Sequence, residues 1–237
     1  MSRVGDPGER ARPRARAARL LSAAFATAVA ADLVALLAGS EFGHAAAKPL
    51  LMPLLAAYAA VRGAPRPLLV ALLFGWGGDV FLLSDADWAF LVGMGSFAAG
   101  HVCYLALFGR ARTSPVLGVC YGAALVAVVA LLWPDLPAEL RVPVAGYSLL
   151  LTAMAYRASG LGLAAGAGGA LFLLSDTLIA TGVADWPQPP VPDFWIMLTY
   201  AAAQYLLATG VLRKASAARP LPSGPAVVSS PSGRPRT

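Results

Sequence analysis

A chain of 237 residues that is 58% hydrophobic, only 13% charged and has a mean hydropathy of +0.68 does not have the balance of a soluble domain; it reads as an integral membrane protein. Its apolar runs are about 18–22 residues long, the length of a membrane-crossing helix rather than the ~10-residue alternation of a barrel strand. The net charge of +6 is no sign of nucleic-acid binding, because the arginines sit in the two tails and the short loops, where the positive-inside rule places them.

Residues 1–19 carry Arg3, Arg10, Arg12, Arg14, Arg16 and Arg19 among Gly, Pro and Ala and are expected to form a disordered cytoplasmic tail. Leu20 to Ala38 follows as a first membrane helix, longer than the usual apolar core of a signal peptide. It holds Asp32 in mid-span with no sequence neighbour to pair with, so that carboxyl must face the bundle interior or water. A second helix is expected from Lys48-Pro49 to Val61, since proline fits a first helical turn. The third, Pro67 to Leu83, contains Gly75-Trp76-Gly77-Gly78-Asp79, an acid inside an otherwise apolar run. Such a charge is costly unless it has partners or work to do. Asp85 and Asp87 are read as turn residues.

The fourth helix, Trp88 to Phe108, places Phe97, His101 and Tyr104 on one face by their i, i+4 and i+7 spacing. A fifth runs from Pro115 to Trp133 and a sixth from Val142 to Tyr156. The seventh, Leu161 to Gly182, is glycine-rich at Gly162, Gly166 and Gly169, which suits close helix approach, and carries the second buried acid, Asp176. The eighth, Asp193 to Leu212, presents Tyr200 and Gln204 one turn apart, a pair that interhelical hydrogen bonding would also explain. Residues 213–237 are expected to be a disordered Pro/Ser-rich tail. Cys103 and Cys120 have neither metal-ligand spacing nor an evident disulfide role and are expected to be buried small hydrophobes.

The expected fold is therefore all-α, a polytopic transmembrane bundle of about eight helices spanning 20–212, with both termini cytoplasmic and the chain multi-pass in a cell membrane. That topology collects Arg62, Arg66, Arg110, Arg112, Arg157, Arg213 and Lys214 on the inner side, and Glu41, Asp85, Asp87, Asp135, Glu139, Asp185 and Asp193 on the other. Trp88, Trp133, Trp186 and Trp195 form a belt at the acidic side. Two cations break the pattern, Lys48 and Arg141, both stranded at outer ends. Asp79 and Asp176 fall at similar depth, ~9 Å below that interface, so that one water-accessible pocket could hold both. Burial and a nearby cation act on such carboxyls in opposite directions, and Lys48 at the outer mouth is the nearest cation the topology supplies. The repeated Phe-Leu-Leu-Ser-Asp of 81–85 and 172–176 raises the possibility of two parallel four-helix halves with the third and seventh helices as counterparts. Asp79, His101 and Asp176 show no metal-site spacing, and neither a metal nor another cofactor is expected.

Lys48-Pro49, Gly78-Asp79, Gly93 with Phe97, His101 and Tyr104, Gly169-Ala170 with Phe172 and Ser175-Asp176, and Tyr200 with Gln204 come in an order and one-per-helix placement that resemble the YhhN family, which includes the lysoplasmalogenases. The resemblance covers about Leu20 to Leu212. It implies an eight-helix membrane hydrolase that cleaves the vinyl ether bond of a lysophospholipid substrate. Such a reaction needs a proton donor, a base that positions water, and negative charge near an oxocarbenium ion, as in glycosidases. On that reading Asp79 and Asp176 are general acid and base in either order, His101 and Tyr104 position water or the leaving oxygen, Lys48 lies near the phosphate, and Tyr200 and Gln204 contact substrate. A proton-coupled transporter or lipid-binding protein would use the same polar residues, and a bundle in which they only glue helices together is the third alternative.

Overall fold

The structure is a computed structural model that describes residues 7–84 and 86–218, with side chains from residue 12 onward. Asp85 and the parts of the expected tails at 1–6 and 219–237, Arg3 and Arg219 among them, lie outside the described residues. The described chain is all-helical: α1 (Pro7–Leu37), α2 (Glu41–Val61), α3 (Arg66–Phe81), α4 (Asp87–Phe108), α5 (Pro115–Leu132), α6 (Ala138–Ala158), α7 (Leu163–Val183) and α8 (Pro192–Ala217), with one 3₁₀ turn at Ser159–Leu161. Six of them, α1 from Arg12, α2, α4, α5, α7 and α8, are long and apolar enough to cross a membrane. α3 has only 16 residues, and α6 carries Glu139, Arg141 and Arg157.

Helix starts depart most from the sequence reading. α1 reaches back to Pro7, and α8 continues through Arg213 and Lys214 to Ala217. α2 begins at Glu41, capped by the Ser40 hydroxyl, which accepts from the Gly43 amide at 3.2 Å. Pro49 and Pro53 thus lie inside the helix rather than in its first turn. Pro53 lacks the amide that would bond the Pro49 carbonyl, and the Trp76 indole of α3 donates to that oxygen instead, at 2.9 Å. α6 likewise starts at Ala138 and takes Pro143 into its body.

The most extensively packed pairs are the hairpins α1–α2, α3–α4 and α7–α8, and α8 also touches α1, α2 and α3. The close approach of α7 and α8 depends on small residues. A Cβ on Gly168 would lie 2.8 Å from the Leu207 nitrogen and 2.9 Å from the Ala203 oxygen, and one on Gly210 would lie 2.7 Å from the Ala165 Cβ. Leu51, Met52, Leu55, Leu68, Leu72 and Leu207 fill the central core. α6 bridges α4 and α7, whereas α5 packs chiefly on α6 and buries only Leu132. Cys120 on α5 is accordingly exposed and Cys103 half-buried, unlike the two buried thiols expected, because the outer face of α5 meets no other helix.

The alternation of helices separates the loops into two ends. The α4–α5 loop and the α6–α7 turn meet at one, where Arg157 donates to the Gly109 carbonyl. At the other, the Trp186 indole of the α7–α8 loop donates to Asp135 in the α5–α6 turn at 2.8 Å. Leu132, Leu136, Val144 and Ala184 pack beneath that contact. The second end, which also carries Glu41, Asp87 and Glu139, is called the acidic end below.

Candidate active site

A cavity of about 110 Å³ lies between α3, α4, α5, α6, α7 and α8, with Lys48 of α2 in its wall. Its polar wall brings together Asp79, Asp176, Lys48, Tyr147, Tyr200 and Arg141; the remainder is mostly aliphatic, with Ala124, Leu125, Val128 and Leu132 of α5 along one side. The two acids singled out by sequence thus share one chamber, with Asp79 in the last turn of α3 and Asp176 about two turns from the end of α7.

Each carboxylate terminates a chain of hydrogen bonds. At Asp79 the Tyr200 hydroxyl donates to Oδ2 at 2.9 Å, Gln204 Nε2 donates to Tyr200 at 3.4 Å, and Tyr104 donates to Gln204 Oε1 at 2.8 Å. Tyr200 and Gln204 are one helical turn apart on α8, and Tyr104 reaches them from α4. The glycines of α3 make the room. A Cβ on Gly75 would stand 3.0 Å from Gln204 Nε2 and 3.3 Å from the Tyr200 hydroxyl, and one on Gly78 would overlap the Phe97 ring. At Asp176 the donor is Tyr147 of α6, which bonds Oδ2, and His101 Nε2 lies 3.1 Å from the same hydroxyl. The other imidazole nitrogen, His101 Nδ1, is buried without a partner.

An aromatic wall separates the two chains. Phe172 packs edge-on against His101, with centroids 4.8 Å apart, and against Tyr200 at 5.5 Å, while Phe97 meets both Phe172 and Tyr200. Both carboxyls nevertheless line the same cavity, and water or substrate there can reach either.

Lys48 is 8% exposed, has no hydrogen bond or close ion pair among the described residues, and stands within electrostatic reach of Asp79, as do Asp32 and Asp176. His101, Tyr104 and Gln204 are 1% exposed and do not line the cavity; they form a layer behind it, holding the groups that do. Asp32 is 1% exposed and its Oδ1 lies 2.8 Å from His44 Nδ1 across the α1–α2 turn. No three His, Cys, Asp or Glu side chains among the described residues come together in a group that could hold a metal ion.

Tyr147 and His44 were not singled out from sequence. The usable signal is depth: in an antiparallel hairpin, residues equidistant from the turn lie level with each other. Tyr147 and Asp176 lie at the same distance from the α6–α7 turn to within about two residues, and so do Asp32 and His44 from the α1–α2 turn.

The YhhN family matches residues 43–211, which include every cavity residue named above. A Mycobacterium tuberculosis protein named Lysoplasmalogenase is 32% identical over 196 residues, covering 73% of each chain. The human protein named Lysoplasmalogenase TMEM86B is 37% identical over 136 residues, 57% of this chain and 59% of the human one, and the bovine Lysoplasmalogenase TMEM86A is 34% identical over 160 residues, 60% of this chain and 63% of its own. The chain thus matches about three fifths of the length of these mammalian relatives. No solved structure matches it.

Proposed function

The chain belongs to the YhhN family, and on that premise we propose that it is a multi-pass hydrolase of the cell membrane that cleaves the vinyl ether bond of lysoplasmalogens. The products are a fatty aldehyde and glycerophospho-choline or glycerophospho-ethanolamine. The observation that carries this reading is the pair Asp79 and Asp176 in one largely apolar cavity, each held by a tyrosine hydroxyl.

One carboxyl of the pair delivers its proton to the β-carbon of the vinyl ether, leaving an oxocarbenium ion at the carbon bonded to oxygen. The other carboxylate stabilises that cation through space and takes a proton from the water that attacks it. The resulting hemiacetal gives its hydroxyl proton to the first carboxylate as its bond to the glycerol oxygen breaks, and that oxygen leaves with the proton the second carboxyl took from water, so that one water is consumed and both carboxyls are reset. Tyr200 and Tyr147 fix the carboxylate planes so that their free oxygens face the cavity. His101, Tyr104 and Gln204 act one layer back, by holding those tyrosines. Lys48 supplies positive charge within electrostatic reach of Asp79, and the aliphatic wall accommodates the chain. The positive-inside rule, applied to the arginines of the opposite end, supports a topology with the acidic end, and with it the cavity, on the non-cytoplasmic side.

Purified protein in nanodiscs, given a synthetic lysoplasmalogen, is expected to release aldehyde, whereas Asp79→Asn and Asp176→Asn proteins of unchanged size and helicity are expected to release almost none. Full turnover by both variants would overturn the assignment. A proton flux in liposomes with no aldehyde release would favour a transporter instead.

A further inference from the structure

Arg141 is the second cation that broke the charge topology, and like Lys48 it lines the cavity. Its guanidinium is already oriented: Nε donates to the Leu136 carbonyl at 3.1 Å and Nη2 to the Pro134 carbonyl at 3.0 Å, which braces it against the α5–α6 turn. Nη1 has no protein partner among the described residues, and no carboxylate there lies within ion-pair distance of the guanidinium. The cavity thus holds two cations, Lys48 within electrostatic reach of Asp79 and a pre-oriented guanidinium at the α5–α6 turn with no carboxylate in ion-pair distance.

We propose that Arg141 is the outer anchor for the phosphate of the lipid headgroup, so that the site selects phosphate-bearing vinyl ether lipids over neutral ones. This rests on the lipid reading given above. A guanidinium with free donors and no internal counter-ion suits an anion supplied by a ligand, and its planar fork suits a phosphate. The glycerol backbone of a lysophospholipid separates its ether oxygen from its phosphate by a three-carbon spacer, so the phosphate needs a partner of its own, apart from the carboxylates that act on the ether, and Arg141 lines the same cavity as those carboxylates. Because the turn carbonyls hold the side chain in place before the lipid arrives, little rotamer freedom is lost on binding.

The test uses binding rather than turnover, with the full chain in nanodiscs and two non-cleavable probes of equal chain length, a 1-O-alkyl lysophosphocholine and a 1-O-alkylglycerol that lacks the phosphate. In Arg141→Gln the charge is lost while an amide remains to bond the turn carbonyls, and affinity for the phosphate probe is expected to fall about 10- to 100-fold with affinity for the alkylglycerol unchanged. Arg141→Lys, which keeps the charge without the fork, is expected to lie between the two proteins. Equal weakening of both probes would show that Arg141 only braces the turn, and unchanged phosphate binding in Arg141→Gln would equally overturn the anchor. Wild-type protein that binds the phosphate probe selectively but releases no aldehyde from a lysoplasmalogen would sink the hydrolase reading while leaving the anchor in place.

Discussion

The two carboxylates face one cavity from unlike surroundings. Asp79 is 2% exposed and closes a chain of three hydrogen-bonding side chains, Tyr200, Gln204 and Tyr104, all fully packed between α3, α4 and α8, with the Lys48 ammonium in electrostatic reach. Asp176 is half-buried and rests on a shorter chain, Tyr147 and His101, that ends at an imidazole nitrogen with no partner. A buried carboxylate with fixed partners has little freedom to turn, whereas one open to the cavity can exchange a protein partner for water. The difference separates a carboxylate held in place by the protein from one that adjusts to what occupies the cavity.

Removal of either charge is the largest perturbation and the first way to break the comparison. Asp79→Asn and Asp176→Asn are each expected to lower the rate of aldehyde release at saturating lipid by about 10²–10⁴-fold, the usual contribution of a general acid or base. If one variant kept wild-type turnover, the two-carboxylate scheme would collapse to a single acid.

The tyrosines sharpen it next. Tyr200→Phe removes a donor that is only 4% exposed and packed against Phe97 and Phe172, and is expected to cost about 10- to 100-fold in kcat together with a lower unfolding temperature. Tyr147→Phe acts where cavity water can take over the bond, so a smaller loss, about two- to tenfold, is expected with little change in unfolding temperature. Equal effects in the two variants would mean that the difference in exposure has no consequence for the chemistry.

The acids were legible in sequence because a carboxylate inside an apolar run is conspicuous by its cost, and both Asp79 and Asp176 were found that way. Tyr147 was not, because a tyrosine in a membrane helix has an ordinary packing explanation and its partner lies 29 residues away. The helix count was legible from apolar length, but the starts of α2 and α6 were not. Pro49 and Pro143 look like first-turn residues, yet the bundle keeps helices around them, at Pro49–Pro53 through the Trp76 indole. The depth rule recovers more than one such contact: Trp76 with Pro49 and Ser96 with Phe74 are hydrogen-bonded pairs placed to within about two residues of symmetry about their turns. Contacts between helices that are not neighbours in sequence, such as Tyr104 with Gln204, have no such mirror and could be read only from the packing.

Double-mutant cycles ask whether the two chains are separate. His101→Gln alone is expected to lower kcat only about two- to tenfold, since its effect passes through Tyr147. Combined with Tyr147→Phe it should add almost nothing, because the second change finds the chain already broken. Tyr147→Phe combined with Gln204→Leu, changes in different chains, should be additive to within about 0.5 kcal/mol. Strong coupling across the aromatic wall of Phe97 and Phe172 would show that the cavity behaves as one network.

The smallest effect on rate is expected at the far end of the longer chain. Tyr104→Phe strips the donor from Gln204 Oε1, which is buried with its whole side chain at 1% exposure and has no other protein partner among the described residues. An orphaned buried acceptor costs about 1–3 kcal/mol of stability, which the unfolding temperature reads. The bond from Tyr200 to Asp79 survives that change, because Tyr200 still donates to Oδ2 whatever Gln204 does. Kcat is therefore expected to stay within about twofold of wild type, so that Tyr104→Phe loses stability without rate whereas Tyr200→Phe loses both. If Tyr104→Phe instead lowered kcat as far as Tyr200→Phe, orientation of Asp79 would depend on the whole chain acting together, and the longer chain would be part of the catalytic machinery rather than the frame that holds it.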